Sequence, residues 1–224
     1  MKRRSCFFAF TLMACAGWTQ LTSPGASAAT GPELPAENRA ATHFLPLFPL
    51  RIVAFPGELV FLHIFEPRYK QLITESAYNG ISFGIVTIVP GGGSSIGTEV
   101  QLDGILRTDD AGNMDVALRG IRTFELKSFQ RIVAGKLYSG GQVIFKTNDP
   151  RFENETQDTL VELYNATQDA TGGGKKILAP YPQNLSFIIG HDVGLSQAQE
   201  LQLLTMPAEH ERQLYLLQQL LRSR

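Results

Sequence analysis

Residues 43–73 read HFLPLFPLRIVAFPGELVFLHIFEPRYKQLI, and no other stretch limits the fold as strongly. Two apolar blocks meet at a Phe55-Pro56-Gly57 turn. Residues 59–65 are apolar apart from His63 and rich in β-branched and aromatic side chains, which predicts a strand buried on both faces with Phe61 at its middle. A helix start follows at Glu66-Pro67, because proline in the first helical turn gives up an N–H that would have no partner anyway. Tyr69, Leu72 and Ile73 then recur at helical spacing and form one apolar stripe. Strand thus hands directly to helix.

Further along, short apolar runs are broken by glycine and Asp/Asn clusters. Strands are predicted over 81–89, 98–108, 114–121, 123–132 and 136–145, with turns at 91–97 and 109–113. Together with 59–65 they predict a compact antiparallel barrel or sandwich. After Phe145 the period changes. Residues 154–170 put Leu160, Leu163, Tyr164 and Thr167 on one helical face, 171–176 form a glycine-rich break, and helical patterns resume from Asn184. Ser196 with Gln199 three residues on is a capping box. A last helix begins near Pro207, with Leu214, Leu217 and Leu221 as its apolar side, Tyr215 and Leu220 beside them, and Glu209, Glu211 and Arg212 in its first turns. The fold class is α+β, a β lobe over 43–146 followed by a helical lobe over 150–224.

Charge narrows the partners. Twenty basic against 21 acidic residues leave no excess to neutralise phosphates, so nucleic acid is excluded as a partner. Cys6 and Cys15 are the two cysteines, so the chain beyond them folds without a disulfide or a thiolate-held metal. Lys2-Arg3-Arg4, the apolar residues 7–18 and the small Ala26-Ser27-Ala28 match a secretory signal peptide over 1–28, and the unpatterned residues 29–42 match a flexible tether. Leu12-Met13-Ala14-Cys15 offers a second route, since it resembles the lipid-attachment box of bacterial lipoproteins; a mis-assigned start before a cytoplasmic protein is the third. The expected location is exported, periplasmic or lipid-anchored. Without residues 1–28 the balance is 17 − 21 = −4, a surface that clings to anionic lipid only with an anchor such as one on Cys15.

Candidate chemistry is sparse. Gly172-Gly173-Gly174-Lys175-Lys176 lacks the upstream glycine and the Ser/Thr of a phosphate loop and follows a helix where a phosphate loop follows a strand, so it reads as a flexible loop. Residues 91–97 have Ile96 where a dinucleotide fingerprint needs its third glycine, and read as a hairpin tip. His43, His63, His191 and His210 fall into no metal-ligand spacing, and His191-Asp192 has no nucleophile identifiable beside it. No cofactor, metal or catalytic residue is expected.

The pieces LPLFPLR, FPGE and HIFEPRY, in this order, resemble the opening of the N-terminal, substrate-binding domain of Lon proteases. Phe83-Gly84-Ile85-Val86 and Ile96-Gly97-Thr98 are similar to that family's second and third strands, and Gly120, Arg122 and Phe124 to its G-x-R-x-F strand. Leu185-Ser186-Phe187-Ile188-Ile189-Gly190, Leu203-Leu204 and Glu211-Arg212 resemble its helical half, so the likeness covers 43–222. It implies a PUA-like antiparallel β-barrel followed by a helical bundle. The residues that carry it are Pro46, Phe48, Pro49, Phe55, Pro56, Gly57, His63, Phe65, Glu66, Arg68, Tyr69, Gly84, Gly97, Gly120 and Arg122. They are expected to be mainly structural, with Glu66 capping its helix and Arg68 holding a nearby carboxylate or carbonyl.

Full Lon proteases carry an ATPase domain and a serine–lysine protease domain after this region, and nothing in the sequence matches either. The resemblance therefore implies a non-catalytic module that engages unfolded or extended polypeptide. Phe48, Phe55, Phe61 and Phe65 are expected to wall an apolar groove where barrel and helices meet. The alternatives are an interaction domain for one fixed partner and a hydrolase with an unrecognised site around His63 or His191.

Overall fold

The computed structural model describes residues 41–172 and 176–222. The expected signal peptide, the Cys15 box, nearly all of the tether and the centre of the 171–176 loop lie outside them.

Among the described residues six strands form one sheet: β1 (His43–Leu50), β2 (Leu59–Ile64), β3 (Phe83–Val89), β4 (Gly92–Thr108), β5 (Met114–Gln130) and β6 (Ser139–Phe145). Their order is β2-β5-β4-β3-β1-β6, and β6 pairs back onto β5. That last pairing closes β5, β4, β3, β1 and β6 into a barrel and leaves β2 outside the ring, paired among the described residues on one side only, with β5. Five of the six pairings are antiparallel, as expected. The sixth, β1 with β3, is parallel, with Leu47 opposite Gly84. A parallel pair needs a crossover connection, and β2 with α1 (Pro67–Asn79) supplies it.

Burial along β2 alternates. Val60 and Ile64 face the core, whereas Leu59 is partly open and Phe61 is 65% exposed. The expected burial on both faces is therefore wrong. A strand outside the closed ring has only one face against the interior, and the run of apolar residues does not reveal on which side of the ring it lies.

β5 is one strand where two were expected. Its first half pairs with β2 and its second half with β6, so it forms the seam of the barrel. The irregularity at Gly120–Arg122 is a bulge opposite Glu99 and Val100, which bends the strand without ending it. A Cβ at Gly120 would lie 2.1 Å from the Phe55 carbonyl oxygen. Gly57 N–H donates to Gly120 O and Gly120 N–H donates to Glu58 O, both at 2.9 Å, so the FPGE turn is laced to β5 where only glycine fits. The expected 91–97 turn shrinks to Pro90-Gly91, because residues 92–97 pair with β3.

The barrel interior is apolar. Tyr69, Leu72 and Ile73 of α1 pack against Phe48, Phe83, Val100 and Leu118, as their spacing predicts. Gly84 and Gly97 make room for the Phe124 ring: a Cβ at Gly97 would lie 2.5 Å from both that ring and the Ile85 carbonyl oxygen.

The rest of the chain is helical, with α2 (Asn154–Thr171), α3 (Leu185–Ile189), α4 (Gln197–Thr205) and α5 (Glu209–Arg222). Leu160, Leu163 and Tyr164 are buried as expected, in a core that also takes Val53, Phe55 and Ile96 from the β half. The Ser196–Gln199 capping box is formed. On α5 the buried face is Glu209, Arg212, Gln213, Leu216 and Leu220, while Leu221 is 59% exposed and Leu214 is also open. The expected leucine stripe is displaced by about one residue, because an ion pair occupies the inward side of the first turns.

Candidate functional site

The four phenylalanines expected to form one wall separate. Phe48 is buried with its ring centroid 3.9 Å from that of Tyr69, whereas Phe55 is buried between Phe187 at 5.4 Å and His191 at 4.4 Å. Phe61 and Phe65 lie outside, Phe65 being 61% exposed. Pro46 and Pro49 sit within β1, opposite Gly140 of β6 and Val86 of β3. Glu66 occupies the N-cap position of α1, but its side chain does not cap; it accepts a 2.8 Å hydrogen bond from Arg68 Nε, so Arg68 does hold a carboxylate. His63 Nδ1 and Asp115 Oδ1 are 2.7 Å apart across the β2–β5 pair, on the exposed face.

Two neighbouring clefts flank this motif. One, of about 350 Å³, lies between Leu50, Arg51, Phe65 and Arg68; the other, of about 310 Å³, lies between Val89, Gly93, Leu126 and Phe129. Pro49 and Ile88 line both, so the two clefts lie side by side in one trough-like strip of the barrel surface. Its lining is almost entirely apolar at the Phe129 end, where Phe129 is 52% and Ile88 38% exposed. At the other end Arg51, His63, Glu66 and Arg68 make it polar.

Two further clefts adjoin the helices. Beside Glu58, His191 does not pair with Asp192, which instead accepts from the Tyr164 hydroxyl at 2.8 Å. His191 Nδ1 lies 2.7 Å from Glu200 and its Nε2 3.1 Å from Glu58. The Glu58 carboxylate, then Glu200, raises the imidazole to about 9 against the opposing cost of burial, so His191 is a cation at neutral pH. A protonated imidazole between two carboxylates is a tie and not a general base. No hydroxyl or thiol is among the described residues lining that cleft. The cleft where barrel and helices meet, of about 250 Å³, is mixed and not apolar: Arg122, Lys146 and Arg212 share it with Ile121, Leu204 and Met206.

A family model for the ATP-dependent protease La (LON) substrate-binding domain matches residues 44–222. The chain belongs to that family. Among solved structures it is similar to a Lon N-terminal domain protein from Xanthomonas campestris, with 26% identity and a TM-score of 0.61 over 80% of this chain and 98% of that one. It is also similar to the N-terminal domain of Mycobacterium avium complex Lon protease, with a TM-score of 0.62 over the same shares; at 16% identity this second likeness shows the fold alone. No curated protein matches.

As a Lon substrate-binding domain the chain uses most of its motif for architecture. Gly57, Gly84, Gly97 and Gly120 are close-approach positions or turns, and Arg122 donates to Glu99 at 2.6 Å while its guanidinium lies 3.6 Å over the Phe145 ring. The exposed part of the Lon motif is Phe65 with its polar neighbours. Leu126 and Phe129, which complete the trough, carry no motif; their signal is only that both stand near the end of a long strand. The burial of Arg212, a residue of the Glu211-Arg212 likeness, is the other feature that the sequence does not show. The side chain is fully buried, and all its nitrogens donate: Nε to Ser186 Oγ at 2.9 Å, Nη1 to the Met206 carbonyl at 2.8 Å, and Nη2 to Asn148 Oδ1 at 2.7 Å and Glu209 Oε2 at 2.8 Å. Burial lowers its pKa, and Glu209 opposes that.

Proposed function

We propose that this Lon substrate-binding domain is a non-catalytic module that captures unfolded or extended polypeptide along the trough of Phe65, Pro49, Ile88, Leu126 and Phe129. The supporting observation is that two clefts share Pro49 and Ile88 as a common wall, with large apolar side chains left open at both ends. Unfolded chains expose apolar side chains that such a surface takes out of water, and contiguous exposed apolar patches mark interaction sites. The one-sided strand β2 adds unpaired main-chain groups beside the trough, the edge to which an extended segment adds. Affinity is modest and sequence-tolerant, because side-chain burial is offset by the ordering of a flexible partner.

The test is anisotropy of labelled unfolded peptides with the native chain and with Ile88→Asp and Phe129→Asp. A charge at either position weakens binding by about tenfold or more, the equivalent of roughly 1.4 kcal/mol, with melting temperature little changed. Binding that survives both substitutions removes the trough, and binding to a single sequence alone makes the domain a fixed-partner module. The same protein slows aggregation of an unfolding client only near stoichiometric amounts, since protection scales with concentration over dissociation constant. We also place the protein outside the cytoplasm, through residues 1–28 or a lipid on Cys15; the mass of the mature chain from its host decides between a new end near Ala28, a lipidated Cys15 and no cleavage.

A further inference from the structure

Beyond the closed ring the sheet continues as β2, the first half of β5 and the far half of β4, and the chain protects only one of the two edges of this extension. Residues 101–108 of β4 pair, among the described residues, with β5 alone, because the pairing with β3 stops at Val100. That edge is broken by register shifts after Leu102 and after Ile105, and it carries Asp103 and Arg107. Bulges and charges of this kind keep an edge from pairing with another chain. β2, the opposite edge, has neither. Its register against β5 is unbroken, and residues 59–65 contain no Lys, Arg, Asp, Glu, Pro or Gly.

The ladder decides which groups that edge offers. Gly120 N–H donates to Glu58 O at 2.9 Å, which makes Glu58 a hydrogen-bonded position of the β2–β5 pair. Such positions alternate, so Val60, Leu62 and Ile64 turn their main-chain groups to β5, and Leu59, Phe61 and His63 turn theirs to the open edge. The side chains of the same three residues stand on the exposed outer face. Three outward residues spaced by two are self-complementary. About a two-fold axis at Phe61, an antiparallel second copy sets Phe61 opposite Phe61 and Leu59 opposite His63. This register puts Glu58 opposite Ile64 and Glu66 opposite Pro56, so no like charges meet; moving the axis to Leu62 would set Glu58 against Glu66. We infer that β2 pairs antiparallel with β2 of a second copy of this chain, about a two-fold axis at Phe61. A six-residue strand with its flanking rings buries less than the roughly 1,200 Å² at which stable interfaces begin, so the pair is weak and dilute protein is monomeric. Client and second copy exclude each other at this edge in the reading proposed above, but the inference rests on the edge alone.

The experiment is sedimentation equilibrium of the full chain, with no client present, from roughly 1 to 500 µM, the range of weak pairs. The native chain passes from monomer to dimer across it. Phe61→Lys and Phe61→Glu each raise the dissociation constant by about tenfold or more, since like charges then stand directly opposite. Mixed in equal amounts, the two variants associate again, because only an axis at residue 61 brings that residue against itself. Hydrogen exchange of the native chain gives a second readout that holds even if a variant unfolds: the amides of Leu59, Phe61 and His63 slow as protein concentration rises. A native chain that stays monomeric throughout overturns the inference. So does a dimer that both single variants keep, which would place the interface elsewhere, and so does a folded mixture that stays monomeric, which would give the strands another register. Failure of polypeptide capture at the trough produces none of these results.

Discussion

The two halves of this domain treat polarity in opposite ways. In the barrel half the buried polar side chains are mostly hydroxyls that donate to backbone carbonyls: Ser76 to Ile81, Thr87 to Ile52, Thr98 to Ala54 and Ser139 to Leu47. Its phenylalanines, meanwhile, reach solvent at Phe44, Phe61, Phe65 and Phe129. The helical half buries an arginine, a glutamate and two glutamines, and Glu209 accepts from Ser186, Arg212 and Gln213 together. A closed sheet satisfies its own backbone and needs little polar material inside, so it has apolar surface to spare for a ligand. Short helices of five and nine residues leave backbone groups free at their ends, and a buried side-chain network ties them. Apolar packing holds both halves, and the helical half adds to it a buried network of charge.

The sharpest way to break this contrast is Arg212→Met. It leaves the Glu209 carboxylate buried without its cation, and breaking a buried pair in this way costs about 3–5 kcal/mol. Urea unfolding shows this as a lower midpoint, and Glu209→Gln added to Arg212→Met recovers part of it because the orphaned charge is gone. A loss under about 1 kcal/mol in the single variant would mean that the network contributes little and that the helical half, like the barrel, rests on packing.

The matching change in the barrel is Gly97→Ala. The added methyl meets the Phe124 ring and the Ile85 carbonyl at 2.5 Å, and overpacking of this kind costs about 1–3 kcal/mol. Gly104→Ala, on the same strand with open space around it, is the control and changes stability by about 0.5 kcal/mol or less. Equal effects at the two positions would show that the barrel yields and that Phe124 does not fix it.

A smaller effect lies where the halves touch. His191 stacks on Phe55 and joins Glu58, beside the barrel turn, to Glu200 of α4. Its folded pKa of about 9 is above the ordinary 6.5, so the folded state holds the proton more tightly than the unfolded one. The tie therefore contributes in full below pH 6.5 and is lost as pH rises through 9. With a third of the side chain exposed, solvent screening leaves on the order of 1–2 kcal/mol. Melting temperature falls between pH 6 and 9.5 in the native protein, and His191→Gln flattens that window. An equal fall in both would assign the pH dependence to other groups.

Sequence patterns recover what is periodic or locally capped. Tyr69, Leu72 and Ile73 are buried because helical spacing alone decides their face, and Ser196 caps because its partner is three residues away. The patterns miss what depends on distant placement. Gly120 looks like a strand end because nothing local shows the Phe55 carbonyl pressed against it. Arg212 looks like a solvated first-turn charge because Ser186 and Asn148, which together with Glu209 of its own helix make its burial tolerable, come from distant segments. The trough is hidden for the same reason, since Pro49, Ile88 and Phe129 meet only after β5 has closed the barrel.

Phe61→Ala carries the smallest expected effect and the clearest reversal. An apolar run with β-branched and aromatic neighbours predicts a ring buried mid-strand, whose loss would cost roughly 3–5 kcal/mol. The ring is instead 65% exposed, on the outer face of a strand that hangs beside the barrel. Full burial of a phenyl side chain is worth about 1.5–3 kcal/mol, so the covered third accounts for about 0.5–1 kcal/mol. For a domain of this size that lowers the melting temperature by only about 1–4 °C. A fall several times larger would show that β2 is covered on both faces in solution, and so would remove the exposed edge on which the proposed capture of extended chains partly relies.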